Sequence, residues 1–117
     1  KNKGIKLLAR SIFLQGLLLR ESKNWPKFIN PEFSSFHNKL NKLLVKEKIS
    51  LLEASLGFVL RKEIIDFILI GISNLDELCE ILRVLQNKFL LDKELPYGDK
   101  FWHWKNQSDI DPRNWQK

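Results

Sequence analysis

Two apolar, strand-like runs separated by helix-patterned sequence constrain this chain more than any other feature. The first is Ile5-Lys6-Leu7-Leu8-Ala9, which leads through Arg10 into Ser11-Ile12-Phe13-Leu14-Gln15-Gly16-Leu17-Leu18-Leu19. The second is Ile64-Ile65-Asp66-Phe67-Ile68-Leu69-Ile70, closed by Gly71. The second run is short, rich in β-branched and aromatic residues, and apolar on both alternations apart from Asp66. That is the profile of a strand covered on both faces. Each run ends in a turn carrying Ser and Gly, the arrangement by which parallel α/β proteins set backbone amides against a phosphate or cofactor at the carboxyl ends of strands.

The intervening residues supply the crossover. Glu21 to Pro31 contains Asn24-Trp25-Pro26 and Asn30-Pro31, two X-Pro steps that disfavour helix at the preceding residue and mark a loop, placed to form part of a rim or lid. From Phe36 the apolar residues Phe36, Leu40, Leu43 and Leu44 recur at helical spacing, with Lys39, Lys42, Lys46 and Lys48 between them. Ser50-Leu51-Leu52-Glu53 has the form of a capping box, and Leu52, Leu56, Val59 and Leu60 continue one apolar face behind it. After Gly71, Ser73 or Asn74 can cap a third helix. Its first turn holds Asp76 and Glu77, favourable at the positive end of the helix dipole, and its expected core face is Leu75, Leu78, Ile81, Leu82, Leu85 and Phe89. Beyond Leu91 no periodicity is sustained through Pro96-Tyr97-Gly98, Phe101-Trp102-His103-Trp104 and Ile110 to Trp115. The reading is therefore α/β, with parallel strands and a right-handed crossover over residues 1–91 and an irregular tail over 92–117.

Composition narrows the class. A chain of 117 residues with 44% hydrophobic and 29% charged residues is that of an ordinary folded domain. No apolar run approaches the roughly 18 residues of a membrane helix, so no membrane partner is expected. The single Cys79 excludes an intrachain disulfide and a thiolate metal site, and a reducing, cytoplasmic setting fits it best. His37 and His103 lack the neighbours that would make either a metal ligand. The chain contains no Met, and Lys1-Asn2-Lys3-Gly4 reads as the last turn of a helix with a glycine C-cap, so it is expected to be the C-terminal part of something longer. Charge is uneven: residues 1–50 carry eleven basic and three acidic groups, +8, whereas residues 51–100 carry six and nine, −3.

These residues resemble the C-terminal portion of an aldo/keto reductase. In that family the seventh strand runs into a turn of the form Ser-Pro-Leu-Gly-x-Gly-Leu-Leu, matched here by Ser11, Gly16, Leu17 and Leu18. The eighth strand ends in Ile-Gly and is followed by a helix with Gln-Leu-x-Glu-Asn, matched by Ile70, Gly71, Leu78 and Glu80. The resemblance implies the last two βα units of a (β/α)8 TIM barrel and an NAD(P)H-dependent oxidoreductase that reduces a small-molecule carbonyl to an alcohol. It implies that Ser11, Phe13 and Gly16 line the pyrophosphate side of an NADP or NAD cofactor, and that Gly71, Ser73, Asn74 and Glu80 face its adenosine half. The family's adenine-contacting Asn is Ile81 here, and its basic residue after the strand-eight glycine is Ser73. No catalytic residue falls on this chain, since the family's Asp, Tyr, Lys and His lie on earlier strands, so the chain alone is expected to be inactive.

A reading from another class is a basic nucleic-acid-binding module that uses the helix from Lys39 to Lys48 with the aromatic tail. Packing of Trp102 and Trp104 over the domain is the plainer use of those rings. Two parallel strands leave unpaired edges, so self-association is also expected.

Overall fold

A computed structural model describes residues 4–87 and 94–115. The expected helical turn at residues 1–3 and the contribution of Phe89 lie outside them. The strands are β1 (Leu8–Ala9) and β2 (Phe67–Ile68), paired in parallel with Leu8 opposite Phe67 and Ala9 opposite Ile68. Leu69 N–H donates to the Ala9 carbonyl at 2.8 Å and Phe67 N–H to that of Leu7 at 3.1 Å. Asp66, the one polar residue in its run, accepts the Leu7 N–H through Oδ2 at 2.8 Å, so its carboxylate extends the ladder where the strand begins.

Regular pairing is shorter than either apolar run, and the sheet is not covered. Leu8 is 57% exposed, Phe67 58% and Leu69 57%, and Ile5, Ile64 and Ile72 are exposed as well. The expectation of a strand buried on both faces is therefore corrected. Within the described residues, helices α2 (Leu51–Leu60) and α3 (Leu75–Leu85) and the loop after β1 pack at the end of the sheet, where Ile70 meets Leu52, Leu56, Ile81 and Val84, and Ala9 and Ile68 are half-buried.

Helix α1 spans Pro31–Lys46, five residues earlier than the apolar period indicates. Asn30-Pro31 is its start signal rather than part of a loop: Asn30 Oδ1 accepts the Glu32 N–H at 3.0 Å, and proline at the first position has no amide to leave unsatisfied. The earlier start brings Phe33 onto the buried stripe with His37 and Leu44. At its other end Lys48 takes a left-handed φ of 58° and Ile49 N–H reaches back to the Leu44 carbonyl at 2.9 Å, a Schellman closure accompanied by apolar packing of Ile49 on Leu44.

Helix α2 (Leu51–Leu60) is capped as its sequence indicates, with Glu53 N–H donating to Ser50 Oγ at 3.0 Å. It buries Leu52 and Leu56 and leaves Leu60 exposed. Helix α3 (Leu75–Leu85) is capped by Asn74, whose Oδ1 accepts the Glu77 N–H at 2.9 Å. Its buried positions are Ile81 and Val84; Leu75, Leu82 and Leu85 are exposed, which narrows the expected core face to a single stripe against α2.

The tail lacks long elements but belongs to the core. Leu95 and Trp102 are buried with Leu44 and Ile49, and Trp104, Ile110 and Trp115 pack beside Leu17, Trp25, Ile29 and Phe33. Asp99 takes a bidentate pair from Arg61 at the end of α2, with Nη2 to Oδ1 at 2.8 Å and Nε to Oδ2 at 3.2 Å, while its Oδ1 also accepts the Leu95 N–H. The two side chains are 15% and 12% exposed, so this pair ties the tail to the helical layer in a poorly hydrated position.

Candidate functional site

The loop after β1 is built from conformations that side chains resist. Ser11, Leu14 and Gln15 hold φ between 50° and 56°, and Gly16 follows at 85°. Left-handed backbone costs a non-glycine residue of order 1–2 kcal/mol, so three such residues in five must be held by their surroundings. The holding groups are visible. Leu14 N–H donates to the Ser11 carbonyl and Leu17 N–H to that of Leu14, and the turn from Leu17 to Leu19 is fixed by Trp25, whose indole Nε1 donates to the Leu17 carbonyl at 2.9 Å and the Arg20 carbonyl at 3.1 Å. Trp25, expected on a rim, is thus a buried anchor packed on Phe33 and His37 at centroid distances of 5.2 and 4.6 Å.

With the loop so folded, the backbone amides of Ile12, Phe13, Gln15 and Gly16 have no hydrogen-bond partner among the described residues. Left-handed residues at Ser11 and at Leu14, Gln15 and Gly16 in succession leave a run of unpaired loop amides, the kind of donors that anion-binding loops use. A cavity of about 600 Å³ opens there, between the loop after β1, the end of β2 and the first turns of α3. Its size lies within the range of small-molecule and cofactor sites.

Six of the seven residues expected at a cofactor site line this cavity: Ser11, Phe13, Gly16, Gly71, Ser73 and Glu80. The seventh, Asn74, does not line it, because its side chain is committed to capping α3. Ser73 lines the wall with its donors engaged: Glu77 accepts its N–H at 2.8 Å and its hydroxyl at 3.0 Å. Gly71 leaves open space where a Cβ would stand, with no atom within 4 Å.

Arg10, Gln15 and Glu77, which sequence reading did not single out, line the same cavity. Arg10 was findable, as the first residue past β1 and the only cation in the lining among the described residues. Glu77 was legible as a helix-start residue, but its reach back to Ser73 depends on the turn at Gly71. Arg10 on one side and Glu77 with Glu80 on the other give the cavity a cationic and an acidic wall.

The aromatic cluster of the tail takes a structural place. Trp102 is buried and donates from Nε1 to the Pro96 carbonyl at 2.6 Å, while half-buried Trp104 donates to Asp109 Oδ2 at 3.0 Å. Lys39 sits 5.5 Å from the Phe101 ring centroid, and Lys42, Lys46 and Lys48 are exposed. Cys79 is a free, exposed thiol. Asp111 and Arg113 form a local pair at 2.7 Å, whose hydrogen bonds hold the Asp111 carboxyl below the usual carboxylate range. Among the described residues no helix is long and apolar enough to cross a membrane.

Parallel strands whose carboxyl ends carry a glycine-bearing loop and a capped helix make an α/β arrangement with a cavity at the sheet edge. The chain belongs to the aldo/keto reductase family, whose model matches residues 1–102 of its 117, and this is a family of oxidoreductases that act on small carbonyl substrates with NAD(P)H. No curated protein and no solved structure matches it.

Proposed function

We propose that the cavity at the sheet edge holds the pyrophosphate and adenosine of a nicotinamide dinucleotide, NADP or NAD, for an oxidoreductase that reduces carbonyls to alcohols. The observation that carries this reading is the convergence of Ser11, Phe13, Gly16, Gly71, Ser73 and Glu80 on one concavity whose loop amides have no partner among the described residues. The amides of Ile12, Phe13, Gln15 and Gly16 with the Arg10 guanidinium would take the pyrophosphate, as charge-assisted hydrogen bonds to fixed donors. Gly71 admits the dinucleotide close to the backbone, and Glu80 faces its ribose side. The cofactor supplies the hydride; this chain's residues bind and orient it.

In this reading β1 and β2 are the last two strands of a (β/α)8 barrel, and the exposed apolar surface of Leu8, Phe67 and Leu69 supports their being covered by further strands. The catalytic groups lie outside this chain, so the chain alone is inactive, and its exposed sheet leads it to self-associate. The free thiol supports a reducing, cytoplasmic setting. Nucleic acid is not proposed as a partner, because Trp102 is buried against Phe36 and Trp104 packs on Phe33 and Phe36, which takes up the ring faces that stacking on bases would need.

The deciding experiment is a titration of the chain with NADPH and with NADH, followed by reduced-nicotinamide fluorescence, for the wild type and Gly71→Leu. Because a Cβ at position 71 meets nothing within 4 Å, the substitution should leave the melting curve in place while weakening dinucleotide binding at least about tenfold. Equal binding by both proteins would place the dinucleotide elsewhere.

A further inference from the structure

A second cavity opens among the helices, the loop after β1 and the tail. It has a volume of about 720 Å³ and runs between α1, α2 and the tail, walled by Leu40 and Leu44, Ala54 and Phe58, and Trp102. Its α1 wall extends from Phe33 to Leu44, about 16 Å at 1.5 Å per residue, so it is a trough rather than a bowl. Such a shape takes an extended chain better than a compact ring system.

Apart from one carboxylate already in an ion pair, the charges in its lining are of one sign. Lys62 and Lys100 are exposed members of the wall, and Lys62 holds its ammonium 4.5 Å from the Phe58 ring centroid, at the boundary between apolar floor and solvent. The carboxylate, Asp99, is taken up in its bidentate pair with Arg61. An apolar trough with two ammonium groups at its exposed edge is complementary to a molecule with an apolar chain and an anionic head.

We propose that this groove binds a single-chain amphipathic carboxylate, its chain lying against the part-exposed Leu40, Ala54 and Phe58 and its head group paired with Lys62 and Lys100. Among the described residues the groove shares only Ile12 with the lining of the first cavity, and the proposal does not depend on the reading given to that cavity. Occupation would bridge α1, α2 and the tail, and so hold Trp102 and Trp104 in place.

The test is a tryptophan-fluorescence titration of the 117-residue chain with dodecanoate below its micelle concentration, beside dodecanol and dodecyltrimethylammonium. The expected result is saturable one-site binding of dodecanoate, at least about tenfold tighter than of the cationic amphiphile and weakened about tenfold by Lys62→Ala with Lys100→Ala. The pair Lys42→Ala with Lys46→Ala, on α1 but outside the groove, should bind as the wild type does. Ala54→Phe, which fills the trough, should abolish binding with the circular dichroism spectrum kept; if that variant does not fold, the lysine pairs decide. Absence of saturable binding, equal affinity for all three amphiphiles, or equal losses in the two lysine pairs would each overturn the proposal.

Discussion

Replacing Trp25 by Phe tests whether a single buried indole holds the loop that forms the site. Trp25 is 7% exposed, and its Nε1–H is shared between the Leu17 and Arg20 carbonyls at 2.9 and 3.1 Å. The Leu17 carbonyl keeps a second partner, the Arg20 N–H at 3.1 Å, so the loss amounts to one bifurcated hydrogen bond, about 1 kcal/mol. Removing the larger ring from contact with Phe33 and His37 adds about 1–2 kcal/mol in lost burial and packing. The total is about 2–3 kcal/mol. With a urea slope of about 2 kcal/mol per molar, the unfolding midpoint should fall by roughly 1 M. Urea titration followed by far-ultraviolet circular dichroism reads this without relying on the fluorescence that the substitution alters. Because the same carbonyls fix the turn from Leu17 to Leu19, dinucleotide affinity should fall as well. A midpoint shift under roughly 0.3 M would refute the assignment of Trp25 as the anchor.

Gly16→Ala meets no atom at its Cβ yet must hold a φ of 85°, so it should lower stability by about 1 kcal/mol in chemical denaturation; a neutral result would mean the loop relaxes to another conformation. Lys48→Gly relieves a left-handed residue in an existing Schellman closure and should raise the unfolding free energy by up to about 1 kcal/mol, whereas a loss would show that the lysine side chain matters more than the backbone. His37 is buried, which pushes its pKa below the ordinary 6.5 despite the opposing hydrogen bond of Nε2 to the Leu18 carbonyl at 2.9 Å. The unfolded chain therefore binds the extra proton first. The stability this site contributes is full above pH 6.5 and is lost as pH falls through the lowered folded value, a trend that should vanish in His37→Gln measured by thermal melts across that range. Sedimentation velocity should show concentration-dependent association that Phe67→Glu suppresses; a monomer at all concentrations would count against the exposed sheet as the contact.

The parts legible in the sequence are those decided by a few neighbouring residues. Ser50 with Glu53 and Asn74 with Glu77 are cap signals because donor and acceptor lie three residues apart, and both caps form. The two apolar runs indicated strands, and the Ser and Gly positions after them marked the loops that the fold brings to one cavity. Asn30-Pro31 misled because the same dipeptide disfavours helix before it and nucleates helix after it, and only the residues downstream choose between the two.

Tertiary structure decided whatever depends on distant partners. Whether an apolar strand residue is buried depends on the layers laid over it, so Leu8 and Phe67 read as core and stand exposed. Trp25 became an anchor because a turn eight residues earlier presents two carbonyls to its indole, and Asn74 left the cavity because its own helix claimed its side chain. The pairing of Asp99 with Arg61, and the groove that leaves Lys62 and Lys100 facing outward, arise from segments far apart in the chain. Local hydrogen bonding and hydrophobic period are written within a helical turn or a strand, whereas burial and charge pairing are set by which surfaces meet once the chain has closed on itself.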